Sequence, residues 1–123
     1  MATYSHAREL QPNERAQLHF LLSIDFPGRN ELRKQLDRVA VVGDCDCGCG
    51  TVDLMVSGPA THADVRKQIP VEAYGKGVDV LLFVRDGLLA ALEIVDHGDS
   101  RPLKYPTPDG LELRAYPRPT SDA

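Results

Sequence analysis

Three thiols stand within five residues, in the run Asp44-Cys45-Asp46-Cys47-Gly48-Cys49-Gly50, and they are all the cysteines the chain has. Thiolates bind borderline cations, and a tetrahedral zinc site wants four ligands at about 2.0–2.3 Å. Gly48 and Gly50 permit the backbone angles a loop needs to wrap round one point. Cys45, Cys47 and Cys49 are therefore candidate zinc ligands. The fourth would be His97, with His62 or Asp44 as substitutes. His97 is preferred because it closes a strand that ends near the same side of the sheet.

The bland reading is equally concrete. Strand-like spacing points all three sulfurs to one face, where they could simply pack. Asp44 and Asp46 oppose thiolate formation by like-charge repulsion, a penalty that a bound cation would reverse. Nor do the thiols look like staples, since their number is odd and a bridge between near neighbours is strained. The clustering points to a reducing compartment. A nucleophilic cysteine would need a base and a cationic surrounding. His19 lies within a helix, His6 in the N-terminal segment, and His62 and His97 have no third group that the sequence nominates. A calcium loop begun at Asp44 would close on an acidic residue at its twelfth position, which here is Met55. No phosphate loop, dinucleotide fingerprint or serine-nucleophile motif is present.

The elements that must position this loop follow from periodicity. Gln11-Pro12-Asn13-Glu14 starts a helix, with proline tolerated in the first turn and Glu14 near the positive dipole end. Leu18, Leu21 and Leu22 form its buried stripe, widened by Ala16, Phe20 and Ile24. Phe26-Pro27-Gly28 breaks it. A second helix follows over Arg29–Arg38, carrying a basic stripe of Arg29, Arg33, Lys34 and Arg38. Val39–Val42 and Thr51–Val56 then read as a β-hairpin whose loop holds the thiols. Ile69–Tyr74 reads as a strand, with Pro70 confining it to an edge or to a strand start. Val78–Arg85 and Leu88–Val95, separated by Asp86-Gly87, give the clearest hairpin in the chain. Val78, Val80, Leu82 and Val84 share one face of it, while Leu81 and Phe83 occupy the other.

The expected architecture is α+β, an N-terminal helical hairpin packed on an antiparallel sheet of four to five strands. With 123 residues the chain makes one domain, 1–123. Residues 1–10 are expected to be loosely ordered and 102–123 to form a proline-rich extended tail. Fourteen Lys and Arg against 18 Asp and Glu give a charge of −4, which argues against nucleic acid as a partner. No apolar run approaches the roughly 20 residues of a membrane span and no signal pattern opens the chain, so a cytoplasmic protein is expected.

Leu21-Leu22-Ser23-Ile24-Asp25-Phe26-Pro27-Gly28, Cys47-Gly48-Cys49 leading into Thr51-Val52-Asp53-Leu54, and Val80–Gly87 followed by Leu92-Glu93-Ile94 together carry a resemblance. In this order they resemble a group of small bacterial α+β domains, of the kind common in actinomycetes, with a Cys-Gly-Cys loop and an Asp-Gly β-hairpin. The resemblance implies architecture and transfers no catalytic residue. Some similar compact proteins look like immunity or partner-binding proteins of toxin systems. The sequence thus points to a small non-enzymatic binding protein with a cysteine-cluster zinc site and a protein partner, met by an edge strand near Ile69–Tyr74 or by the tail. The alternative is a thiol-dependent or metal-assisted enzyme using the Cys45/Cys47/Cys49 loop.

Overall fold

A computed structural model describes residues 2–45, 50–75, 77–97 and 106–116, with the backbone alone for 2–5. The α+β character holds, but the expected sheet of four to five strands is corrected. Among the described residues seven strands form one antiparallel sheet: β1 (Ala2–Arg8), β2 (Val39–Asp44), β3 (Val52–Val56), β4 (Val71–Gly75), β5 (Val78–Arg85), β6 (Leu88–Asp96) and β7 (Glu112–Ala115). Their spatial order is β1-β2-β3-β6-β5-β4-β7. The N-terminal segment, expected to be loose, supplies the edge strand β1. The 102–123 tail supplies β7 from its described part.

The expected helical hairpin is corrected too. Helices α1 (Pro12–Leu21) and α2 (Arg29–Gln35), the second continued by a 3-10 turn over Leu36–Arg38, start where the sequence places them, but α1 ends at Leu21, short of Ile24 and the Phe26-Pro27-Gly28 break. Each is held by the sheet, α1 against β4 and α2 against β6. Segment 22–28 is long enough to separate them, so their leucines meet the strands. Leu18, Leu21, Leu22, Leu32 and Leu36 enter one core cluster with Val41, Val52, Val80, Leu82 and Leu92. Each fully buried leucine contributes roughly 2 kcal/mol through the apolar area it removes from water. No helix of the described residues is long and apolar enough to cross a membrane.

The start of α1 is fixed by charge. Glu14 Oε1 accepts the Gln11 N–H at 2.8 Å, and Arg8 donates to both carboxylate oxygens at 2.9 Å. That bidentate pair ties the end of β1 to the first turn of the helix.

The Asp86-Gly87 reversal is the expected one. Both residues have positive φ (54° and 76°), the geometry that suits the twist of a two-residue hairpin. Glycine is required at 87 for a second reason: a Cβ there would meet the Ala63 carbonyl oxygen at 2.7 Å. The loop that passes so close is bonded to the turn through Ala63 N–H to Gly87 O at 2.9 Å. From α2, the buried Gln35 amide reaches the same point. It donates to Thr61 O and Gly87 O and accepts from Leu89 N–H, each at 2.9 Å. One side chain thereby joins a helix, a loop and a hairpin turn.

Ile69–Tyr74 is not an edge. Pro70 stands just outside β4, where its missing N–H breaks no ladder bond and its carbonyl accepts Tyr116 N–H at 2.8 Å. β4 is paired on both sides, by β5 and β7.

Candidate binding face

Antiparallel pairing lines side chains up in rows across the strands. One row, Val52–Leu92–Leu82–Val71–Ala115, faces the helices. Its members are buried, and Val71, Leu82 and Leu92 are 0% exposed. The next row points the other way: Gly43 opposite Asp53, Asp53 opposite Ala91, Ala91 opposite Phe83. A further row on that side runs Glu93–Leu81–Glu72–Arg114, and another Val95–Asp79–Tyr74–Glu112. The side chains of these rows are half-buried or exposed. Met55, on β3, is 51% exposed. Both helices contribute to the single core on the opposite side.

Small residues leave a hollow in this face. Ala91 sits between Asp53 and Phe83, and the space above it opens into a shallow cavity of about 490 Å³. Asp53, Phe83, Glu93, Val95 and Asp96 line it, with Arg85 beyond Phe83 toward the hairpin turn. Cys45 and Thr51 close its far end. The hollow lies over the junction of β3 and β6, where Val52 and Asp53 pair with Leu92 and Ala91. Thr51 continues that junction with its hydroxyl, which donates to Ile94 O at 3.4 Å and accepts Ile94 N–H at 2.9 Å.

A second cluster occupies the β4–β7 side. The Arg114 guanidinium lies 4.6 Å from the centre of the Tyr74 ring. Hydrogen bonding to the Tyr116 side chain, then to Tyr74, pushes its pKa above the ordinary arginine value. Tyr116 also donates to Glu72 Oε2 at 2.9 Å.

Of the zinc candidates, Cys47 and Cys49 lie outside the described residues. Cys45 is half-buried at the end of β2, its backbone fixed by a bond from its N–H to Thr51 O at 3.1 Å. His97 follows β6 at the same end of the sheet, as the sequence suggested. Its Nε2, however, is engaged by Asp79 Oδ2 at 2.9 Å, and its N–H donates to Gly77 O. His62 is at the wrong end. Its Nδ1 donates to Asp86 O at the hairpin turn, about 20 Å along β6 from Ile94 at the usual rise per residue. Among the described residues no three His, Cys, Asp or Glu side chains converge as a metal site.

The row Asp53–Ala91–Phe83 was half legible in sequence. Alternation in β5 puts Leu81 and Phe83 on the second face, but nothing in one strand reveals that Asp53 and Ala91 stand beside Phe83. No protein-family model, curated protein or solved structure matches the chain.

Proposed function

We propose that the protein is a small non-enzymatic binding protein that meets another protein through the sheet face opposite its helices. The observation that supports this is the one-sided covering of the sheet: Leu81, Phe83, Val95 and Met55 are presented where the described residues place no helix. Aromatic residues, methionine and arginine are also enriched at protein interfaces, and Phe83, Tyr74, Arg85 and Arg114 all belong to this face. The test is capture from native lysate by the parent chain, by a Met55→Lys/Leu81→Lys variant, and by Arg33→Glu on the exposed side of α2. Companions lost with the first variant and kept with the second support the reading. The reverse pattern removes it.

A zinc ion held by Cys45, Cys47, Cys49 and His97 is a second reading, favoured by one observation. Cys45 shares its hollow with the carboxylates of Asp53, Glu93 and Asp96, groups that favour a cation. Elemental analysis and thiol titration before and after chelation test it. About one equivalent of zinc, with thiols shielded until chelation, is expected. Metal-free protein with freely reactive thiols overturns it.

A further inference from the structure

We propose that the partner presents a lysine side chain, and that its ammonium seats in the hollow above Ala91 between Asp53 and Glu93. This rests on the binding-face reading and names the chemistry of what binds. Asp53 and Glu93 are diagonal neighbours on adjacent strands, since Asp53 is opposite Ala91 and Glu93 is two residues further along β6. Such positions are about 7–8 Å apart, and like charges there repel. Neither carboxylate has an ion pair among the described residues, whereas Asp79 on the same face is hydrogen-bonded to His97. Arg85, on β5 beyond Phe83, makes no salt bridge to either of them.

The surroundings select among cations. Ala91 gives the hollow a small floor, and Phe83 gives it an aromatic wall that attracts a cation. Two separate carboxylates on either side of a small floor suit a compact point charge, which approaches both at once. A guanidinium fork is matched to one carboxylate taken bidentately. Val95, which lines the hollow, and Leu81, opposite Glu93 in the next strand, would accommodate the lysine stem and the apolar surface beside it. Charge on the whole chain, −4, favours a basic partner in the same sense.

The experiment compares the parent chain with Asp53→Asn/Glu93→Gln, which removes charge and keeps shape. Both are used to capture companions from native lysate while salt rises from about 50 mM to about 500 mM, a range in which exposed charges become screened. A carbodiimide is then added, which condenses a carboxylate with an amine to form an amide and releases the oxygen as the urea by-product. A melting temperature equal to or slightly above the parent's shows that the variant is folded. The expected result is at least a tenfold lower yield of companion for the variant at low salt, a steep salt dependence for the parent alone, and cross-links joining Asp53 or Glu93 to a partner lysine. Equal capture by the variant overturns the lysine seat and leaves the binding face standing. Cross-links confined to distant carboxylates such as Asp25 and Asp64 do the same. An empty eluate from the parent chain overturns both.

Discussion

The two faces of this sheet are built from the same strands and the same ladder of backbone bonds, yet they have opposite character. Val52, Leu92, Leu82, Val71 and Ala115 are each no more than 2% exposed. One residue along each of the first three strands, Asp53, Ala91 and Phe83 are only half-buried. Strand propensity does not separate the two rows. What separates them is the helical layer, which removes water from one side alone. Stability is therefore concentrated on that side, and the other is free to carry charge and hollows that a core would reject.

Substitutions break or sharpen this contrast. The largest effect belongs to Leu82→Ala, which deletes a fully buried side chain and should lower unfolding free energy by about 3–4 kcal/mol in urea titration. Leu81→Ala, its neighbour on the other face, should cost less than half as much; equal losses would erase the distinction. Next comes Gln35→Leu, at about 2–3 kcal/mol. It strips buried partners from Leu89 N–H and Thr61 O and loosens the helical layer from the hairpin turn. Arg8→Ala should cost about 2 kcal/mol by thermal melting. It deprives the nearly buried Glu14 carboxylate of its bidentate partner, although Arg8 is itself about a third exposed. Smallest are Met55→Lys and Asp53→Asn, each within about 0.5 kcal/mol, the latter on the stabilising side because a like-charge neighbour is relieved. A large loss from either would mean that the second face is part of the core after all.

Local signals were legible where one short segment decides the outcome. Gln11-Pro12 opens α1, and Asp86-Gly87 sets the β5–β6 hairpin because both positions need left-handed backbone. Signals that depend on distant partners were not. β1 is a run of polar and small residues whose strand state comes from pairing with β2, so its sequence looks like a loose terminus. Pro70 left an edge or a strand start open; it stands just before the strand, and pairing with the distant β7 removes the edge. Amphipathic spacing assigned Ala16 to the core of α1, whereas Ala16 is exposed and Gln17 is buried, its amide bonded to Pro106 O at 2.7 Å. Gln35 and Glu14 are hidden for the same reason: a polar residue enters a core only when its partners, here a turn and an arginine, arrive from elsewhere in the chain. For the candidate site, alternation located Phe83 and clustering drew attention to Cys45. Register across β3, β6 and β5 was needed to bring Asp53, Ala91 and Glu93 beside them.

The junction of β3 with β6 has a consequence for how the sheet comes together. On one side of it β1, β2 and β3 follow one another in space as in sequence, and on the other β4, β5 and β6 do the same in reverse. At the junction distant chain segments must find each other, Thr51 and Ile94 being 43 residues apart, as β1 and β2 must at one flank of the sheet and β4 and β7 at the other. Loop-closure entropy makes such a contact late to form, and its short ladder makes it early to part. An occupant that bridges it would rivet β3 to β6 where the ladder between them is shortest.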